Sequence, residues 1–511
     1  LSRQSYQIGV LGTGFAGTIT GLILKQMGYE VVLVDRSRHP RFAIGESSTP
    51  IADRILAKLC DQYDLPELRP LTAYGSARQQ SEHYRVGPKR GFSYFSHHSQ
   101  PNHSKDFETV SHSFDPGDRE QQLLVAASQC EELSDTHWHR ATVDHFIAQC
   151  AVRRGLDLLE NVDLRSIELE TSSAWRLRGT HGDKELDLRV HFLIDATGRR
   201  SPLASNLRLQ EETDQLRTQS GAVYGHFKDL DRSDTWFRHA NTSDEHPFPC
   251  DDAAVHQITT TGWMWQLRFD HQITSCGWGL PLQHMPKPEE DLTIWWQKRI
   301  AEFPSLRQQF SNASVVAPEG GLQRVPRLQY LREVVSGRGW AMLPSSAGFI
   351  DPLHSSGIAH AMASIERLTA LFPGAGVLPA ERCLREYGKN MKHEFLWIDL
   401  LVSACYEALF DFRLFQRVCM WYFLAVIHYE RQRLSESLLA PAFLSANCKE
   451  LQTVIRKHLT DLPRREDGPL SRHQINRLNS DYREAMAPFN HADLLSTANH
   501  PFYQHTAAPG K

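Results

Sequence analysis

The chain has 511 residues, 41% of them apolar and 23% charged, proportions of a folded globular protein that exclude collagen-like, coiled-coil and disordered classes. Fifty-six Lys and Arg against 60 Asp and Glu leave a net charge of −4, too balanced for a nucleic-acid or anionic-membrane partner held by bulk electrostatics. The length suits two to four compact units or one elaborated α/β domain.

Nine cysteines at irregular spacings, with no CxxC, point to a reducing compartment and to no structural zinc. The most apolar run, residues 418–427, is well short of the roughly 18–20 residues that cross a bilayer. A strand pattern begins at Tyr6, so no leader is expected unless one was removed before this numbering. The expectation is a cytoplasmic protein with neither a nucleic-acid nor a membrane partner.

Residues 6–11 read as a buried strand, apolar Ile19, Leu22, Ile23 and Met27 follow at helical spacing, and residues 31–34 form a second buried strand. This is a βαβ unit opening a parallel sheet. Residues 75–120 are polar, with aromatic runs that suggest hairpins. A helix is expected over 138–151, a strand over 190–194, antiparallel strands over 221–227 and 262–269, and a short strand over 340–343 leading into a helix over 357–372. Residues 384–460 read as helical and carry Trp397, Tyr406, Phe410, Phe412, Phe415, Trp421, Tyr422 and Phe423. Such aromatics are more often a helical core than a substrate cage. The final residues, 486–511, look like a loose tail.

Gly12-Thr-Gly14-Phe-Ala-Gly17 follows a strand and opens a helix, the context in which GxGxxG carries weight. The first glycine permits the turn, the second admits a pyrophosphate to the backbone, and the third lets helix and strand pack closely. Asp35 closes the second strand, where a carboxylate accepts ribose hydroxyls. The fingerprint by itself leaves NAD and FAD open. Twenty-six histidines, among them His97, His98, His103, His112, His137, His139 and His145, show no HExxH spacing, and no metal site is expected.

Later motifs decide the cofactor. Gly45-Glu46-Ser47, the turn Asp195-Ala-Thr-Gly198, and Asp351-Pro-Leu-His354-Ser-Ser356-Gly357 together resemble the FAD-dependent monooxygenase superfamily and, within it, the flavin-dependent halogenase-like branch, over about residues 5–370. The resemblance implies an α/β fold in which a Rossmann-type FAD-binding domain (1–75, 121–210 and 335–375) interleaves with a mixed or antiparallel-sheet substrate domain (76–120 and 211–334). A C-terminal helical cap (376–485) and the tail complete it. It implies that Gly12, Gly14, Gly17, Asp35, Glu46, Ser47, Arg140, Asp195, Gly198, Asp351, Ser356 and Gly357 hold FAD. For Arg140 a surface helix arginine is the competing reading. Where relatives carry Gly-Asp before Ala-Gly-Phe, this chain has Pro344-Ser345.

Gly262-Trp263-Met-Trp265-Gln-Leu267-Arg268 resembles the GWxWxIP element of flavin halogenases, with Leu267-Arg268 in place of Ile-Pro; Trp263, Trp265 and Phe92 would line a substrate tunnel. Paired tryptophans on one strand face equally suit a core. Lys89, in Lys89-Arg-Gly-Phe92, is the candidate for the family's lysine that receives hypohalous acid, and a solvated Lys-Arg turn is the alternative. His354 stands where tryptophan halogenases typically have glutamate, and the backbone after it binds halide in that family. A histidine there suits a general base with a pKa near working pH. The same motifs also look like the subgroup that hydroxylates protein-bound tryptophan in tryptophylquinone biogenesis.

The expected function is hydroxylation of an electron-rich aromatic ring by reduced FAD and O2. Halogenation, with halide as co-substrate, is the alternative, and a non-catalytic scaffold or chaperone is the alternative of another class. A separate flavin reductase is expected as partner, with an aromatic small molecule or a tryptophan-containing protein as substrate, because no further nicotinamide motif is evident.

Overall fold

A computed structural model describes residues 5–97, 114–170, 174–240, 242–374, 376–435 and 441–509. His98, His103 and His112 lie outside the described residues.

Ser5–Leu11 and Val31–Val34 are parallel neighbours, and both are almost wholly buried, as the continuous apolar runs of a doubly covered parallel sheet require. Lys184–Asp195 pairs with Ser5–Leu11 on the other side, followed by Trp340–Met342, and Asp157–Leu159 extends the opposite edge; all these pairs are parallel. The strands Val162–Leu169 and Trp175–His181 pair with each other, and the second continues onto the outer half of Lys184–Asp195, so that strand is far longer than its apolar segment 190–194. Helices Phe15–Gln26 and Arg140–Arg153 pack on this sheet, and Ser356–Thr369 packs against Phe15–Gln26 and Pro50–Gln62.

A second sheet of nine strands runs in the order Ser314–Ala317, Ser220–Lys228, Ile273–Pro281, Gly262–Arg268, Ala254–Thr259, Gly91–Ser96, Gln122–Ala126 and Phe502–Tyr503, with Gln323–Val325 beside Ser220–Lys228. Two sequence boundaries shift here. Gln122–Ala126, expected in the FAD-binding part, pairs antiparallel with Gly91–Ser96 in the second sheet. The expected loose tail instead adds a parallel edge strand, Phe502 opposite Leu124 and Tyr503 opposite Val125, and buries Leu494, Leu495, Phe502 and Tyr503 in the core.

The cap is built on two long helices, Glu381–Glu407 and Phe412–Leu434. Asp411 separates them and caps the second by accepting a hydrogen bond from the Arg413 amide. Lys449–Thr460 and Arg472–Met486 pack outside them, the latter opened by a Ser471/Gln474 capping box. Trp397, Phe415 and Trp421 are fully buried and form the helical core. No helix among the described residues is long and apolar enough to cross a membrane.

Candidate active site

A cavity of about 650 Å³ opens at the carboxyl ends of the parallel strands, where open α/β sheets bind ligands. Gly12, Gly14 and Gly17 line it. Gly12 sits at φ +89°, and a Cβ there would lie 2.5 Å from the Ala196 carbonyl oxygen; a Cβ on Gly17 would run into the carbonyl oxygen of Gly12. The turn closes only with glycine at both positions. Asp35 also lines the cavity, its Oδ2 accepting from the Thr13 amide (2.7 Å), the Thr13 hydroxyl (2.8 Å) and Arg41 (2.6 Å). Burial works against ionisation of this carboxyl, but Arg41 and the amides of Ser37 and Thr13 outweigh it and hold its pKa below the usual carboxylate range.

Arg140 is no surface residue. Its Nε and Nη2 donate to both oxygens of Asp144 at 2.8 Å, Nη1 donates to the carbonyls of Ile44 and Gly45, and its guanidinium lies over the Phe15 ring while bordering the cavity. It clamps the Gly45 loop to the sheet. Gly198, at φ +80°, lines the cavity and donates its amide to the Ser346 hydroxyl. Asp195 acts from behind, accepting from the amide and hydroxyl of Thr197 and from the Ser201 hydroxyl, and so shapes the turn without facing the cavity. Ser345 lines the cavity.

Glu46 and Ser47 do not line this cavity. Glu46 accepts from His226 Nε2 (2.7 Å) and the Ser275 hydroxyl (2.9 Å), tying the loop to the second sheet, and Ser47 hydrogen-bonds His137 on the strand Asp135–Trp138, which pairs with Val86–Lys89. Only the neighbouring Gly45 reaches the cavity wall, which corrects the expectation that both side chains contact the cofactor.

Ser356 and Gly357 begin the helix Ser356–Thr369 and border the cavity, so the positive end of that helix faces it. Asp351 borders it too. Its Oδ2 accepts from Ser220 (2.6 Å) and Tyr406 (2.8 Å), and Tyr406 in turn accepts from Trp263 Nε1 (2.9 Å). Burial raises the Asp351 carboxyl to about 6 despite these donors.

A second cavity, only about 30 Å³, lies beyond Ser356, which lines both. Its walls are Phe92, His354, Tyr422, Phe423 and Val426, with Pro50 and Ile51 on one side. The ring of His354 stacks on Tyr422 at 4.1 Å, its Nδ1 meets the Tyr94 hydroxyl at 3.2 Å, and its Nε2 lies 3.4 Å from Cys405 Sγ. Burial, with His256 nearby, pushes the His354 pKa well down. The expectation of a base titrating near working pH is corrected: His354 is a neutral imidazole there.

Lys89 ends the strand Val86–Lys89, wholly buried, its Nζ 4.0 Å from Asp135 Oδ2 and 4.1 Å from the centroid of Phe92. It is not the solvated turn residue of the alternative reading, and burial with Lys89 alongside brings His137 down to about 3. Lys89 lines neither cavity; it touches Phe92, which lines the small one together with His354.

Trp263 and Trp265 line neither cavity. They lie opposite Gly279 and Gly277 of the adjacent strand, where a Cβ on Gly279 would meet the Trp263 ring at 2.8 Å. The pair is therefore a packed wall rather than a tunnel lining, with Trp263 reaching the sites through Tyr406 and Asp351. Sequence reading missed Tyr94, His256, Asp135 and the clamp partner Asp144; only the alternation of Phe92 and Tyr94 on one strand face signalled an aromatic surface.

A profile of the family described as tryptophan halogenase matches residues 7–409. The chain belongs to the tryptophan halogenase family. Among its relatives, the tetracycline 7-halogenase of Kitasatospora aureofaciens is 29% identical over 382 residues, covering 72% of this chain and 63% of the relative. The monodechloroaminopyrrolnitrin halogenase PrnC of Pseudomonas fluorescens is 27% identical over 426 residues, covering 80% of this chain and 69% of the relative. The alignment thus spans under two thirds of the tetracycline enzyme. In fold, the chain superimposes on halogenase PltM crystallised with phloroglucinol and FAD with a TM-score of 0.83 at 22% identity, covering 98% of this chain and 99% of that one. The cavity fits the FAD of this family: fingerprint glycines, a strand-end carboxylate, the Gly198 turn and a helix N-terminus face one elongated space.

Proposed function

We propose that this protein is an FAD-dependent halogenase of a small electron-rich aromatic ring, with a separate reductase supplying reduced flavin. The relatives' names speak of halogenation, which moves this reading ahead of the hydroxylation expected from the sequence. The observation that carries it is the pair of cavities sharing Ser356, one suited to FAD and one aromatic, with a buried lysine against the aromatic wall.

Reduced FAD, dioxygen and halide would together supply hypohalous acid. Asp35, Arg140, the Gly198 turn and the start of Ser356–Thr369 would hold the cofactor. Lys89 then carries or hydrogen-bonds the activated halogen, held in place by Asp135 and the face of Phe92. His354 takes the ring proton. A ring that has accepted a halogen cation is a strong acid, so a neutral imidazole of low basicity suffices where other members use glutamate. The dry aromatic wall keeps water from the oxidant.

The test is mass spectrometry of phenol, indole, pyrrole and tryptophan-peptide panels incubated with reduced FAD, oxygen and chloride or bromide. A halogen isotope pattern that disappears without halide supports this function. A gain of one oxygen regardless of halide would return the assignment to hydroxylation.

A further inference from the structure

The aromatic cavity has room for about one water and none for a ring, so something must move before a substrate enters. Most of its lining belongs to deeply packed elements: Phe92 and Val125 on the strands Gly91–Ser96 and Gln122–Ala126, the helix starts at Pro50 and Ser356, and the helix Phe412–Leu434, with Phe443 beside them. Thr506 and Ala507 complete it, in a segment without regular structure whose Thr506 and Ala508 are buried and whose residues 504 and 509 are exposed.

That segment is held at a few points. Thr506 donates its amide (2.9 Å) and hydroxyl (2.8 Å) to the carbonyl of Ala126. The Ala508 amide donates to Glu430 Oε2 at 2.7 Å, and Arg54 Nη2 donates to the carbonyls of Ala508 and Pro509. The side chains that meet the cavity are small, Thr506 and Ala507, and no large apolar group anchors the segment over it. Upstream, the strand Phe502–Tyr503 is fixed by the sheet and Tyr503 is buried, which leaves a natural hinge at residue 504. Glu430 itself lines the cavity and is buried, with one carboxylate oxygen occupied by the Ala508 amide.

We propose that residues 504–509 form a lid that an aromatic substrate displaces, and that Glu430 then transfers its acceptor oxygen from the Ala508 amide to a hydroxyl or N–H donor on the ring. The substrate class follows: a ring carrying a donor near its edge, phenolic or indolic rather than wholly apolar. The identity of the ligand as an aromatic ring rests on the function proposed above; the lid itself rests on the cavity and the hydrogen bonds.

The experiment measures binding, separately from turnover, by isothermal titration of the FAD-loaded full chain with 2-naphthol and with 2-methoxynaphthalene, which lacks the donor. Removing residues 504–511 should tighten both probes about tenfold, as expected when several hydrogen bonds no longer have to be broken. Arg54→Gln, which keeps the chain intact, should tighten both about threefold. Glu430→Leu should erase the preference for 2-naphthol over its methyl ether. Affinities within twofold of the parent in both lid variants, or a preference unchanged by Glu430→Leu, would overturn the proposal, as would the absence of binding in every form. Shifted affinities without halogenated product would keep the lid and remove the halogenase reading; product with unshifted affinities would do the reverse.

Discussion

The two cavities are built on opposite terms. The larger one is framed by backbone: glycines at Gly12, Gly14, Gly17 and Gly198, a helix start at Ser356, and carboxylates already engaged by their own chain. The smaller one is framed by side chains, with Phe92, His354, Tyr422 and Phe423 drawn from three parts of the sequence and a six-residue segment across the mouth. A backbone-framed site is ready for its ligand before the ligand arrives, whereas the aromatic site is packed shut until one displaces something. The cofactor site serves a group shared by many enzymes, and under the proposed function the aromatic site carries the selectivity of this one.

The comparison breaks first at Gly17. Gly17→Ala forces the Gly12 carbonyl aside, and flavin-fluorescence titration should show FAD affinity lowered about 100-fold or more, because the pyrophosphate loses its turn. A comparable methyl addition in the aromatic wall would act on substrate alone. Next is Arg140→Met, which leaves the buried Asp144 carboxylate without its bidentate partner and frees the Gly45 loop. Urea unfolding should register a loss of about 3–5 kcal/mol.

Asp351, which touches the larger cavity and is held by Ser220 and Tyr406, adds a pH dependence to the cofactor side. Its carboxyl, raised from 3.8 to about 6, binds a proton more tightly in the folded than in the unfolded chain. It therefore favours folding fully below about pH 4, and that contribution fades as pH rises through 6, a change on the order of 3 kcal/mol at most. Asp351→Asn should flatten this fall in urea-unfolding stability between about pH 4 and 6; an unchanged slope would place the titration elsewhere.

What the sequence shows follows the same division. Gly12, Gly17 and Gly198 are legible because their backbone conformations or close contacts admit only glycine. The buried strands are legible because a covered parallel sheet needs unbroken apolar runs. The aromatic cavity is not, since Phe92, His354 and Tyr422 meet only after three elements have packed, and the basicity of His354 depends on a burial that no motif records. The segment after Tyr503 reads as a tail because its attachments are hydrogen bonds to Ala126, Arg54 and Glu430, which leave no trace in an apolar pattern. Glu46 misleads for a related reason: its motif sits at the cofactor loop, but its side chain turns to His226 in the other sheet.

Under the proposed function, the oxidant made at the flavin passes to Lys89, which lines neither cavity but touches the aromatic wall at Phe92. Lys89→Met, supplied with reduced FAD, oxygen, bromide and a phenol, tests this most directly when oxygen consumption and brominated product are followed together. The account predicts FAD affinity and oxygen consumption within twofold of the parent, and product lowered about 100-fold or more, as for loss of a group that acts in the chemical step itself. Brominated phenol formed at the parent rate by Lys89→Met would contradict it.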